Sequence, residues 1–283
     1  MGGVRMIRFL ILIGYVWLMM FLQISGKLNQ YINVHYRYLA FLSMGLAFLL
    51  AIVQLFKWVK NDNHTVHHED DHHHHGMQKG YQKVIGYALL MMPIVVGLAF
   101  PKVSLDTTIV EAKGFQFPLS KESTGDPYFQ TQYLRPDTSI YFNTSDYQKQ
   151  MNRLLDKYTK DQKIVITDTN YLELMEIIYN YPSEFIGKKI QFKGFVYHST
   201  TEKQQDLFLF RFGVIHCIAD SGVFGLRIDF DQPTSYKNND WLLVEGELAL
   251  EYYAPFKREL PVVKVSHVKQ IQAPKNEYVY RTF

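Results

Sequence analysis

Three long apolar segments in the first hundred residues constrain the fold of this 283-residue chain more than any other feature. They cover residues 6–24, 38–58 and 84–100. A helix needs roughly 20 apolar residues to cross the core of a bilayer, and about 17 is the lower limit. None of the segments has a polar face, and a helix that is apolar all round belongs in lipid or in a very large core. We predict three N-terminal transmembrane helices.

The first segment could instead belong to a cleaved signal peptide, because Arg5 and Arg8 give it a basic start. Such peptides end in a pattern of small residues at the cleavage site. The segment ends in QISGK, which lacks that pattern, and two more apolar segments follow. We therefore expect a retained membrane anchor.

Basic residues close to the spans set their orientation in a membrane. Six of them lie on the side that holds the N terminus and the loop between helices two and three, namely Arg5, Arg8, Lys57, Lys60, Lys79 and Lys83. Four lie on the other side, namely Lys27, Arg37, Lys102 and Lys113. This bias predicts a multi-pass protein of the cell membrane. Its N terminus and second loop lie in the cytoplasm, and everything after Pro101 is extracytoplasmic.

The second loop, residues 61–80, contains the run NHTVHHEDDHHHHG, with seven of the chain's eleven histidines. Neutral imidazole is a common ligand of zinc, and the adjacent carboxylates raise the local cation concentration. We interpret the run as a flexible binder of divalent transition metal, which could be zinc, copper or nickel. A solvated linker and a pH-sensitive charge cluster are the alternatives. The candidate ligands are His64, His67, His68, His72, His73, His74 and His75.

The C-terminal half has a different pattern, in which apolar and polar residues alternate at period two and so predict half-buried strands. Glycines inside two of these segments, Gly194 and Gly246, are typical of bends in a small closed barrel. We predict a mainly β domain, an OB-like five-stranded barrel, with a β-sandwich as the alternative. The predicted strands are residues 189–198, 207–217, 225–230, 241–250 and 260–271.

The chain is thus predicted to consist of three parts. Residues 1–103 form the three-helix membrane anchor, and residues 163–283 form the OB-like domain. Residues 104–162 form an irregular connecting region, in which residues 145–158 have the pattern of a short helix. A further helix is expected after Asp168 or Thr169, ending near Tyr181.

Several segments spread along the chain resemble one known family. They read SGKLNQYIN, NYPSEFIGKKIQFKGFVY, RFGVIHCIADSGVFGLRI, NDWLLVEGEL and PKNEYVY. In sequence and in order the chain resembles the YcgQ-like family, whose members are described as small subunits of two-component membrane permeases. The resemblance implies a larger polytopic permease subunit as the partner. It also implies a link to divalent-metal homeostasis, chiefly that of zinc.

A second candidate site is the segment HCIAD at the end of a predicted strand. His216, Cys217 and Asp220 combine imidazole, thiol and carboxylate within five residues, and His198 on the neighbouring predicted strand could join them. Such a set could hold a soft or borderline metal. Consecutive strand residues face opposite ways, however, so His216 and Cys217 share a site only if a bulge intervenes. A structural role, with Asp220 as a turn residue, is the alternative.

The sequence lacks the common catalytic motifs, including the P-loop, HExxH and GxSxG patterns. A sortase-like set of Cys217, His198 and Arg211 or Arg227 is conceivable, but the local sequence does not match that family. We expect no enzymatic activity. The net charge of +3 is too small to indicate a nucleic-acid partner. Trp241, Tyr252 and Tyr253 could line a ligand face of the barrel or serve as packing residues.

We therefore expect an accessory subunit of a membrane permease system, embedded in the lipid bilayer and linked to zinc homeostasis. The alternative is a membrane-anchored extracytoplasmic binding or sensing module with no transport role.

Overall fold

The three apolar segments fold into three long helices, as predicted. In the computed structural model, which describes residues 2–60, 80–99, 143–201, 204–254 and 258–282, α1 spans Gly2–Ile24, α3 spans Arg37–Lys60 and α4 spans Gly80–Ala99. A short helix, α2 (Leu28–Tyr31), follows α1. Each long helix is sufficiently long and apolar to cross a membrane. Most of their large apolar side chains are exposed, for example Phe56 at 70%. Such a surface suits lipid and is unsuited to water.

The helix α1 packs closely against α4 at two glycines. A Cβ atom on Gly14 would lie 2.9 Å from Cδ1 of Ile94, and one on Gly97 would lie 2.9 Å from Cδ1 of Leu18. Small residues allow helix backbones to approach each other in lipid, where close packing replaces the hydrophobic effect as the driving force. All three long helices belong to Met1–Val103, one of the two compact units of the chain.

The second unit, Ser104–Phe283, is built on seven strands and two described α-helices. The helices are α5 (Thr144–Tyr158) and α6 (Tyr171–Asn180). The strands are β1 (Lys163–Val165), β2 (Lys189–Thr201), β3 (Gln204–Val214), β4 (Gly222–Asp229), β5 (Trp241–Tyr253), β6 (Arg258–Ile271) and β7 (Tyr278–Tyr280). The predicted strand at residues 207–217 therefore ends three residues early, at Val214.

Five of these strands close into a barrel in the ring order β2-β5-β6-β4-β3, since β3 also pairs with β2. All neighbours in the ring are antiparallel except β4 and β6, which are parallel. The short strands β1 and β7 extend the sheet from β2 and β3. The closed mixed barrel of five strands confirms the predicted OB-like fold.

Two glycines permit the close strand contacts that a small barrel requires. A Cβ atom on Gly246 would lie 2.1 Å from the carbonyl oxygen of Lys264, where the register of β5 and β6 shifts. A Cβ atom on Gly194 would lie 2.6 Å from the carbonyl oxygen of Phe210. Neither gap accommodates a Cβ atom, so glycine is the residue that fits at each position.

Apolar residues on both faces of the barrel strands are buried. One cluster combines alternate strand residues with α5 and α6, and includes Met151, Leu154, Leu172, Met175, Phe192, Leu209, Leu226, Leu242, Val244 and Val263. A second, mostly aromatic cluster occupies the other face and includes Phe195, Tyr197, Phe208, Phe210, Phe212, Trp241 and Tyr253. Trp241 and Tyr253 are thus buried packing residues, whereas Tyr252 is 64% exposed.

A buried ion pair joins the C-terminal segment to α6. Arg281 follows β7, and its Nη1 lies 2.9 Å from Oε2 of Glu176. Both side chains are completely buried. Charged residues are rarely buried in this way unless they are paired. The pair therefore fixes the end of the chain against the helix.

We expect Arg281→Met to destabilise the second unit strongly, because it leaves the buried Glu176 carboxylate without its cationic partner. Breaking one side of a buried pair costs about 3–5 kcal/mol. Denaturant unfolding of the full-length protein in detergent, followed by tryptophan fluorescence, measures the change. The matched control is Arg153→Met, on the exposed face of α5. A midpoint for Arg281→Met equal to that of the control would contradict the prediction.

Candidate functional site

The residues His216, Cys217 and Asp220 lie in a tight turn after β3. The Asp220 carboxylate accepts hydrogen bonds from the backbone N–H groups of His216 and Cys217, at 2.9 Å each. Its Oδ2 also lies 2.8 Å from Nδ1 of His216. Residues Ile218–Asp220 form one turn of 3-10 helix. Asp220 therefore organises the turn through its side chain, as aspartates commonly do.

The turn brings His216 and Asp220 together, but it does not build a metal site from the predicted set. A carboxylate bound to one ring nitrogen is the arrangement that orients metal-binding histidines. However, within the residues that the structure describes, no group of three or more His, Cys, Asp or Glu side chains could hold a metal ion. The thiol of Cys217 is free and half-buried.

His198 lies on β2, beside the end of β3 that is opposite to this turn. It pairs with Leu207 across the β2–β3 ladder, whereas the turn begins after Val214. Seven residues of strand at about 3.3 Å each separate the two places by about 23 Å. The structure therefore does not bring His198 together with His216 and Cys217, either as metal ligands or as a sortase-like pair.

His198 instead fixes the loop that follows β4. Its Nε2 lies 2.7 Å from the carbonyl oxygen of Tyr236, and its backbone N–H donates to Oδ1 of Asn238 at 2.8 Å. A carbonyl oxygen only accepts hydrogen bonds, so Nε2 carries the proton. The imidazole thus has a positioning role for this loop.

The loop and the strand ends beside His198 enclose an open cleft of about 420 Å³. This volume lies within the range of about 300–1,000 Å³ that is common for small-molecule sites. The lining mixes charged, polar and apolar side chains. It consists of His198, Leu207, Arg227, Ile228, Asp229, Phe230, Asp231, Gln232, Pro233 and Thr234.

A network of four charges crosses three strands at the edge of the cleft. Arg227 Nη1 lies 3.0 Å from Glu251 Oε2, and Lys264 Nζ lies 2.5 Å from Asp229 Oδ2. Lys264 also contacts Glu251, so that the two pairs are joined. Lys264 donates hydrogen bonds to Asp229 and to Glu251, and these bonds raise its pKa above the ordinary value. The guanidinium carbon of Arg227 lies 5.6 Å from the centre of the Tyr253 ring, within range of a cation–π contact.

The other arginine considered for an active site, Arg211, is completely buried and holds the C-terminal segment. It donates hydrogen bonds to the carbonyl oxygens of Asn276 and Glu277, and its Nη1 lies 2.7 Å from Oδ1 of Asp168. Partial burial alone would raise the pKa of Asp168, but Arg211, together with Lys193, holds it below the ordinary value. Asp168, which the sequence suggested as a cap of α6, is therefore an ion-pair partner of Arg211. The residue at the N-cap position of the helix is Asn170.

Sequence reasoning missed the charge network beside the cleft because its residues come from three strands. Arg227 and Asp229 lie on β4, Glu251 on β5 and Lys264 on β6, and only the strand register brings these three strands together. The seven candidate histidines of the loop at residues 61–80 lie outside the described residues. Their proposed role as metal ligands stays a prediction.

Comparison with known proteins gives matches along nearly the whole chain. The DUF1980 N-terminal domain matches residues 7–116, and the DUF1980 C-terminal domain matches residues 141–281. A Streptococcus mutans protein named "Putative two-component membrane permease complex subunit" is 49% identical over 282 residues, covering 98% of this chain and all of that protein. The UPF0703 protein YcgQ of Bacillus subtilis is 43% identical over 287 residues, with 98% and 100% covered. The resemblance seen in the sequence is confirmed, and the chain belongs to the DUF1980 family as a YcgQ-like protein.

Proposed function

We propose that this protein is an accessory subunit of a two-component membrane permease complex. The observation that carries the proposal is the end-to-end similarity, at 49% identity, to a protein named as a subunit of such a complex. Three helices able to cross a membrane fit a membrane-embedded subunit. We assign to the chain no catalysis of its own.

The proposed role is to position or regulate a larger, polytopic permease subunit. The middle of each described apolar helix carries no charged side chain. Charged or strongly polar residues inside the membrane commonly mark ion and substrate pathways. Three apolar helices without a charge in their middle are better suited to packing against a partner than to lining a pathway.

We expect a second polytopic membrane protein to co-purify with the tagged chain from its native membranes in mild detergent, in a fixed ratio. The control is a truncated protein that retains residues 1–103 alone, which tests whether the membrane unit is sufficient. Mass spectrometry of the purified complex identifies the partner. Recovery of the tagged chain alone, as a monodisperse protein, would favour the anchored binding module instead.

The topology proposed for this subunit has the β domain outside the cytoplasm and the histidine-rich loop inside. The single cysteine of the chain, Cys217, makes this testable. A small membrane-impermeant thiol reagent applied to intact cells should modify Cys217 without permeabilisation.

Two variants control for thiol access on each side of the membrane. Cys217→Ser with Gln270→Cys puts an exposed thiol on β6, and Cys217→Ser with Lys60→Cys puts one at the end of α3. We expect the first to react in intact cells and the second only after permeabilisation. The reverse pattern would invert the proposed orientation.

We further propose that the loop at residues 61–80 binds zinc near the permease. Replacing its seven histidines by alanine should abolish Zn²⁺ binding of micromolar affinity measured by calorimetry on the full-length protein. Binding should also weaken as the solution is acidified, because protonated imidazole does not coordinate metal. The control variant carries His198→Ala, His216→Ala and Cys217→Ser. Loss of binding in the control alone would move the site to the β domain, and absence of binding in the wild type would refute a zinc role.

A further inference from the structure

The cleft beside His198 occupies the part of an OB-like barrel that commonly meets ligands. In such barrels the face of the second and third strands and the adjoining loops bind oligosaccharides and oligonucleotides. Here the second and third barrel strands are β3 and β4, which contribute Leu207 and Arg227 through Asp229 to the cleft. The loop after β4 forms the opposite wall, and His198 holds that loop in place.

The charges of the cleft disfavour anionic ligands. Asp229 and Asp231 both line it, and Arg227 is the one arginine or lysine among the described lining residues. Arg227 is moreover paired with Glu251. A phosphate group would meet two carboxylates, and nucleic acid requires a clearly basic surface.

A bound divalent cation is also disfavoured. The described residues include no group of three His, Cys, Asp or Glu side chains with the spacing of a metal site. One carboxylate, Asp229, is engaged by Lys264 at 2.5 Å. A cation at this place would have to compete with an ammonium group that is already hydrogen-bonded.

The same arrangement suits an uncharged ligand rich in hydroxyl groups. A carboxylate has about four lone-pair sites, so a carboxylate paired with one cation can still accept hydrogen bonds from hydroxyls. The exposed amide of Gln232 offers both donors and an acceptor. Because Arg227 and Asp229 are already paired, a neutral ligand that covers them does not bury either charge in isolation.

The remaining lining supplies an apolar surface. Leu207, Phe230 and Pro233 lie among the polar groups, whereas the side chain of Ile228 is buried in the core. The ring of Phe230 is 5.9 Å from that of Tyr236. Sugar rings combine a rim of hydroxyls with apolar C–H faces. A cleft that alternates hydrogen-bonding and apolar side chains is complementary to both.

We propose that this cleft binds a neutral saccharide, with Asp229, Asp231 and Gln232 bonding its hydroxyls and Phe230 contacting a ring face. His198 is a positioning residue that holds the wall of the cleft. The inference does not depend on the permease assignment. A saccharide could come from the polymers of the cell envelope or from free sugars in the surroundings, and both offer the same chemistry to the cleft.

The test is a titration of the full-length protein with two probes, chitotriose and maltotriose. The first represents amino-sugar polymers and the second represents soluble neutral sugars. The protein is held in lipid nanodiscs, because maltoside detergents carry sugar head groups that would compete. Ligand-observed saturation-transfer NMR detects weak binding. We expect at least one probe to bind saturably, with a dissociation constant of about 1 mM or tighter.

Two exposed lining residues provide variants that preserve the fold. Asp231→Ala and Gln232→Ala together should weaken binding about tenfold, because each removes a group that hydrogen-bonds the hydroxyls of the ligand. Asp156→Ala, on the exposed face of α5, is the matched control for lost charge and should bind as the wild type does. Unchanged thermal unfolding of all variants establishes that they are folded.

The outcomes separate the possibilities. Loss of chitotriose binding in the cleft variant supports a polymer ligand, and loss of maltotriose binding alone supports a soluble sugar. The proposal is overturned if neither probe binds, or if binding is equal in the cleft variant and the wild type. It is also overturned if inorganic phosphate or Zn²⁺ binds the cleft in place of the sugars. None of these results changes the expected co-purification, so the two proposals fail independently.

Discussion

The parallel pairing of β4 with β6 is the contact on which the β domain depends. It joins Arg227 to Val262 and Asp229 to Lys264 in register and thereby closes the ring of five strands. Closure buries the alternating apolar residues on the strands and leaves no barrel strand without a neighbour on either side, which removes the hazard of an open sheet edge. The same register places charged side chains of β4 beside those of β5 and β6. The charge network at the cleft is therefore a direct consequence of barrel closure.

The C-terminal segment secures this arrangement from the other end of β3. Arg211 donates to two carbonyl groups of the segment, and Arg281 pairs with Glu176 in α6. These two buried arginines attach a short strand that could not be held by three residues of pairing alone. A chain without internal disulfides must obtain such fixation from buried polar contacts and packing. One end of β3 thus serves stability, while the other end borders the cleft.

Much of the fold could be predicted from the sequence, because it follows from local periodicity. Long apolar segments give the membrane helices, and alternation from residue 189 onward gives the barrel strands. Gly194 and Gly246 identified the close strand contacts, since a missing side chain is visible in any sequence. Sequence pattern was less informative where tertiary contacts determine the role of a residue. Asp168 resembled a helix cap, yet it forms an ion pair with the buried Arg211.

The candidate site was less predictable for the same reason. His198, His216 and Cys217 were grouped because neighbouring strands bring their ends together, but an antiparallel pair brings together only opposite ends. His198 at the end of β2 meets the start of β3, and the turn with Cys217 follows the far end. The residue types suggested a single site, but the strand topology places His198 and the turn with Cys217 at opposite ends of β3. The cleft lies at the start of β3, where a third strand, β4, contributes Arg227 and Asp229. Their pairing with Glu251 and Lys264 gives a surface suited to hydroxyl groups and unsuited to ions.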